Sequence, residues 1–232
     1  DVAINLLRRG DDARLQREAQ AMAKLQHPNV VTVHEVGASA HGTYVVMELV
    51  AGQTLRDWAP ERSWDELRDV FIQAGRGLAA AHAAGLVHRD FKPDNVLIGD
   101  DGRVCVTDLG LASGDAAELD RAADAAVTDT VSLPGAVIGT PAYMAPEQLR
   151  GEPASVACDQ YSFCVTLYEC VHGERPFVGD DLDELRKRVL EDERPSPPTD
   201  PRWLGEVIRR GLARDPQERF ADSTGPVERL LT

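Results

Sequence analysis

Cysteine pairs, a basic surplus and long apolar runs are all missing from this 232-residue chain. Its four cysteines, Cys105, Cys158, Cys164 and Cys170, form no Cys-x-x-Cys pair. The last three recur every six residues in an apolar run, which predicts buried thiols in a reducing compartment and neither a disulfide frame nor a zinc site. The six histidines are scattered, without ligand spacing. Lys and Arg number 25 against 39 Asp and Glu, a net charge of −14. That balance argues against nucleic acid or an anionic membrane surface as a partner. No apolar run approaches the length of a membrane span, and residue 1 does not open a signal peptide. The segment is therefore expected to make no membrane contact and to reside in the cytoplasm. No internal repeat is visible. Aromatics are only 5% of the chain, yet the hydrophobic share of 43% argues against disorder. The length suffices for one large domain or two lobes without staples.

Periodicity divides the chain near residue 50. Residues 2–7, 30–36 and 43–50 read as strands, with a helical pattern over 11–26 whose apolar face holds Leu15, Ala19 and Met22. Beyond Gly52 the patterns become helical over 64–84, 156–171, 181–191, 203–213 and 223–231. Residues 113–134 are polar and weakly patterned, and prolines break the chain at 195–201. The expected class is α+β: a small antiparallel-sheet lobe over 1–50 followed by a helical lobe over 51–232.

Residues 87–111 carry the chemistry. Two apolar runs, 96–98 and 104–106, flank Asp100-Asp101-Gly102, which is strong hairpin-turn chemistry. If they pair, Asn95 just before the hairpin and Asp108 just after it come together, with Asp90 five residues upstream of Asn95. Two oxygen ligands beside a third carboxylate suit magnesium-assisted phosphoryl transfer, because magnesium takes one or two protein oxygens and leaves its other positions to phosphate and water. A separate carboxylate can then orient the attacking hydroxyl. The bland alternative is a surface hairpin whose aspartates serve its turn; the joint spacing speaks against it.

The same stretch resembles the catalytic core of protein kinases. His88-Arg89-Asp90 through Asn95 fits the catalytic-loop pattern, and Asp108-Leu109-Gly110 fits Asp-Phe-Gly with Leu for Phe. Lys92-Pro93 looks like the serine/threonine branch. The resemblance implies a two-lobed kinase fold and transfer of the ATP γ-phosphate to Ser or Thr hydroxyls of a protein substrate. In the catalytic loop Asp90 would accept the hydroxyl proton, Lys92 would approach the transferring phosphate, and Asn95 and Asp108 would hold Mg2+. Met47 would be the gatekeeper, the backbones of Glu48 and Val50 would meet the adenine edge, and Leu97 would join the nucleotide site. Glu18 stands where kinases place the helix glutamate that pairs with the phosphate-binding lysine. Gly139-Thr140-Pro141-Ala142-Tyr143-Met144-Ala145-Pro146-Glu147 looks like the end of an activation segment. Asp159 would anchor the catalytic loop, Arg219 would pair with Glu147, and His88 would support the metal-binding Asp. Thr128, Thr130 and Ser132 are candidate autophosphorylation sites, placed where a phosphate could pair with Arg89.

The resemblance departs from the family in two places. Asp1-Val2-Ala3-Ile4-Asn5-Leu6 is similar to the Val-Ala-Ile-Lys strand, but Asn5 takes the lysine position and no lysine precedes Lys24. Asn5 can donate a hydrogen bond to a phosphate but brings no charge. The glycine-rich phosphate loop would lie upstream of residue 1, so the chain is expected to be an N-terminally truncated catalytic domain with strand 2–7 as an exposed edge. Both departures predict a poor catalyst. Membrane anchors, common in bacterial kinases of this type, would lie outside the segment. Two other readings stay open: a pseudokinase that binds partners without phosphorylating them, and a small-molecule phosphotransferase, which Gly139 to Glu147 and Lys92-Pro93 argue against.

Overall fold

The computed structural model describes residues 1–7, 20–40, 42–110, 140–191, 201–222 and 224–231. Glu18, Thr128, Thr130 and Ser132, with most of the 11–26 helix pattern and all of 113–134, lie outside the described residues. The α+β class expected from the sequence holds, with strands gathered early and helices late. The chain forms two compact units, one of residues 1–88 and 93–112, the other of 89–92 and 113–232. These differ from a cut at residue 50 because the long helix after it packs on strands of the first unit.

In the first unit, β1 (Val2–Leu7), β2 (Val33–Ser39) and β3 (Gly42–Glu48) make an antiparallel sheet in the order β1-β3-β2. Each β1 residue faces one on β3, Val2 opposite Glu48 and Asn5 opposite Val45. The period-2 alternation of a strand sends Ala3 and Asn5 to the half-covered face and Val2, Ile4 and Leu6 outward. Ile4 is 66% exposed, as expected of an edge. Residues 30–32 do not extend β2 as their β-branched run predicts. Val30 bridges Val106 in parallel, and the Val31 amide donates to the Val106 carbonyl at 2.9 Å, so these two residues serve a second sheet while Thr32 bonds Glu48 of β3.

That second sheet has the order β4 (Gly52–Thr54), β5 (Val96–Gly99), β6 (Val104–Val106). The predicted hairpin is present, with Val96 opposite Val106 and Ile98 opposite Val104. Gly102 turns it at φ 80°, a conformation glycine adopts without a Cβ penalty, while the Asp101 carboxylate accepts the Arg103 amide at 3.0 Å. The short helix α1 (Leu55–Trp58) follows β4, with Thr54 as its N-cap. Helix α2 (Trp64–Ala83) starts at a capping box between Ser63 and Glu66, and its face of Leu67, Val70, Phe71, Ala74 and Leu78 is buried. Buried Asn29 ties the hairpin down: its side chain donates to the Val104 carbonyl at 2.9 Å, and its own carbonyl accepts from Val106 at 3.0 Å.

In the second unit, α3 (Pro146–Leu149) precedes α4 (Val156–His172), which is buried over most of its first three turns. A helix apolar on nearly every side belongs in a core. Helices α5 (Leu182–Glu191), α6 (Arg202–Gly211) and α7 (Thr224–Leu230) follow. In α6 the buried residues Leu204, Val207, Ile208 and Gly211 fall at i, i+3, i+4 and i+7, and that stripe faces α4. Gly211 is required by closeness: a Cβ there would lie 2.0 Å from the Cys164 sulfur. Cys170, expected to be buried, is only half-buried, whereas Cys105, Cys158 and Cys164 are buried thiols, as their apolar surroundings in the sequence imply. Burial pushes them up, Cys158 to about 12 with the Glu147 carboxylate adding to the effect, which leaves them poor nucleophiles. No described helix is long and apolar enough to cross a membrane.

Candidate active site

Asn95 closes a single 3-10 turn, Pro93–Asn95, and leads directly into β5. It is buried, and its carbonyl accepts the Thr107 amide at 3.0 Å. The residue after Thr107 is Asp108. Hairpin pairing therefore brings the backbones on either side of it into register, as its sequence predicts. Asp108 has φ 57° and Arg89 φ 70°, so two of the three non-glycine residues with positive φ among those described fall within this short stretch. An aspartate tolerates that region; an arginine does so at a cost of order 1–3 kcal/mol and only when its surroundings hold it there. After Asp108 the chain is held by the Gly110 amide, which donates to the carbonyl of fully buried His88 at 3.3 Å.

Asn5 and Asp108 meet. The Asn5 Nδ2 donates to Asp108 Oδ1 at 3.1 Å. Met47 is buried, with Thr107 Oγ1 at 3.8 Å from its sulfur, and it lines a cavity with Met22, Val31, Val33, Thr107 and Asp108. Glu48 gives its amide to the Thr32 carbonyl at 2.9 Å. Its carboxylate accepts the Thr32 amide at 2.8 Å and a two-pronged contact from Arg103 at 2.8 and 3.2 Å. Partial burial pushes the Glu48 carboxyl up, but the Arg103 guanidinium and the Thr32 amide outweigh it and hold the group below its usual range. Val50 is half-buried just beyond β3, and Leu97 is half-buried in β5 between Thr54 and Cys105.

In the second unit Lys92 Nζ donates to Asp90 Oδ2 at 2.7 Å; the two side chains are 19% and 14% exposed. The peptide before this pair is clamped from both sides. The Arg89 amide donates to Asp159 Oδ1 at 2.8 Å, and the Arg89 carbonyl accepts from Gln148 Nε2 at 3.1 Å. Asp159 is fully buried on α4, and Gln148 also accepts the Ala145 amide at 3.0 Å. These bonds explain how Arg89 is kept at positive φ. Sequence reasoning found Asp159 but missed Gln148; its one available signal was its place beside Glu147. Glu147 and Arg219 form a buried two-pronged pair at 2.6 and 2.8 Å, and Arg219 also donates to the Ala213 and Ala157 carbonyls. Its guanidinium lies 5.1 Å from the Tyr161 ring centroid.

Asn95 and Asp108 offer a hard cation amide and carboxylate oxygens. Among the described residues no three His, Cys, Asp or Glu side chains cluster into a metal cage. A donor set so small fits magnesium, which keeps water and phosphate oxygens as its remaining ligands.

A hairpin flanked by Asn95 and Asp108 in one unit, and a clamped loop carrying Asp90 and Lys92 in a helical second unit, define a class, and comparison identifies it. The family profile described as "Protein kinase domain" matches residues 3–227, and the chain belongs to that family. Within the family it is similar to bacterial serine/threonine kinases of eukaryotic type. It is 43% identical to serine/threonine-protein kinase PknA of Mycobacterium tuberculosis over 223 residues, which is 92% of this chain and 49% of the relative. It is 39% identical to serine/threonine-protein kinase PknL of the same organism over 224 residues, 92% of this chain and 53% of the relative. Among solved structures, Rad53 1-466 in complex with AMP-PNP superposes with a TM-score of 0.74 at 28% identity, covering 97% of this chain and 56% of that one. The chain spans about half the length of these relatives. The two-lobed kinase fold expected from the sequence follows from these matches.

Proposed function

We propose that this chain transfers the γ-phosphate of ATP to Ser or Thr hydroxyls of a protein substrate, with Mg2+ as cofactor. The observation that carries the reading is the Asp90–Lys92 pair at 2.7 Å, set in a loop whose backbone is fixed by two buried side chains. Asp90 takes the hydroxyl proton, and Lys92 meets the charge that grows on the transferring phosphate. Asn95 and Asp108 would hold the cation, which would supply positive charge against the phosphates. Met47, Glu48, Val50 and Leu97 form the adenine site. Since the Glu48 amide is committed to Thr32, its share of the adenine edge falls to its carbonyl. Glu18 and Asn5 face the phosphates, where Asn5 supplies a neutral donor in place of lysine. Thr128, Thr130 and Ser132 accept autophosphorylation. Lobes of 1–50 and 51–232, and a cytoplasmic setting, belong to the same proposal.

Intact catalytic positions and the kinase relatives favour an enzyme over a binding-only module. Incubation with Mg2+, ATP and a protein acceptor, followed by phosphopeptide mapping, tests the reading. Phosphate is expected on Ser and Thr of the acceptor and on at least one of the three hydroxyls in residues 128–132. Phosphate on neither would contradict it.

A further inference from the structure

Asn5 is held in a specific place by β1. Its position opposite Val45 puts it on the half-covered face with Ala3, while Val2, Ile4 and Leu6 are exposed. From there its amide reaches Asp108, 103 residues away in sequence, and donates to Oδ1 at 3.1 Å. Asp108 lies past the end of β6 at φ 57°, so no strand ladder fixes where its carboxylate points. Hydrogen bonds to a ligating carboxylate fix its orientation and so its affinity for a metal.

We infer that Asn5 is a positioning residue for the divalent cation: its amide orients the Asp108 carboxylate and, being neutral, leaves the full negative charge to the metal. The inference rests on the kinase reading above. Two substitutions show what asparagine does that others would not. Leucine, branched in the same way, removes the donor and frees the carboxylate to turn. Lysine keeps a donor but sets a positive charge against Asp108, where it competes with the cation for the same oxygens. Asparagine alone of the three orients without neutralising. Nucleotide binding then leans on the metal for the charge that the side chain at position 5 does not supply.

Mn2+ is a paramagnetic stand-in for Mg2+, so its binding can be titrated by electron paramagnetic resonance with ADP present and no turnover. Wild type is expected to bind. Asn5→Leu should weaken Mn2+ by about tenfold, and Asn5→Gln, which keeps the amide, should recover most of that loss. Asn5→Lys should also weaken Mn2+ by about tenfold while tightening ADP binding in the absence of metal. Metal-free melting temperatures check that each variant is folded, and Asn5→Ala replaces Asn5→Leu if the latter is not. Mn2+ binding that is unchanged in the leucine or alanine variant, or tightened in the lysine variant, would overturn the positioning role alone. A folded wild type that binds no Mn2+ with ADP would overturn the kinase metal site together with it.

Discussion

The two compact units hold their candidate site residues by different means. In the second unit the loop bearing Asp90 and Lys92 is clamped by two buried side chains, Asp159 on the Arg89 amide and Gln148 on the Arg89 carbonyl, and beside Gln148 the buried Glu147 is locked to Arg219. In the first unit the hairpin that places Asn95 and Asp108 rests on backbone pairing and neutral amides, from Asn29 to the Val104 carbonyl and from Asn5 to Asp108. Buried carboxylates are spent on structure. The candidate site carboxylates are held differently: Asp108 receives the neutral Asn5 amide, and Asp90 receives the Lys92 ammonium. Total acidity therefore says little about the site; burial sets Asp159 and Glu147 apart from Asp90 and Asp108.

Cutting the buried pair should break this contrast most sharply. Arg219→Ala leaves Glu147 buried and uncompensated and is expected to cost about 3–5 kcal/mol, read by urea unfolding. Phosphotransfer by the fraction still folded should also fall. Next in size, Gly211→Ala drives a methyl into Cys164 and should cost about 1–3 kcal/mol, a loss that Cys164→Ala in the same chain should partly restore. Asn29→Ala tests the neutral side. It strands the Val104 carbonyl and is expected to cost about 1–3 kcal/mol, with hydrogen exchange rising first in the hairpin amides. Smallest is Arg103→Ala, which removes a part-exposed pair with Glu48 and should cost less than about 1 kcal/mol near neutral pH.

The last variant also sharpens the comparison through pH. Because the Glu48 carboxyl is held below its unfolded value, its contribution to stability is full above that value, 4.5, and is lost as pH falls through the folded value. Stability measured from pH 6 downward should therefore decline less steeply in Arg103→Ala than in wild type. An identical slope in both would show that the pair does nothing for Glu48.

Local chemistry explains what the sequence made legible. Asp100-Asp101-Gly102 between two apolar runs determines a hairpin with few alternatives, so the placing of Asn95 and Asp108 could be read in advance. The four longer helices of the second unit were readable from their periodicity to within a residue or two, and the four-residue α3 was not. Residues 30–32 misled because a β-branched run shows that a strand is favoured, not which sheet receives it. The three-residue strand β4 and the single-turn helix α1 are too short to leave a periodic signal. Gln148 and the Asn5–Asp108 bond were invisible for another reason. Each joins residues far apart in sequence, and an isolated polar side chain does not announce its partner. Asn5 read from sequence as a missing lysine; in the structure it is a donor to Asp108.

The central claim is that Asp90 and Asp108 serve phosphoryl transfer while Asp159 and Glu147 serve structure. Intact-mass measurement after incubation with Mg2+ and ATP, on wild type beside Asp90→Asn and Asp108→Asn, tests it most directly. Mass gains of whole phosphates in wild type, absent from both variants at unchanged melting temperature, are the predicted result. A folded wild type that gains no phosphate, or an Asp108→Asn variant that gains as much, would contradict it.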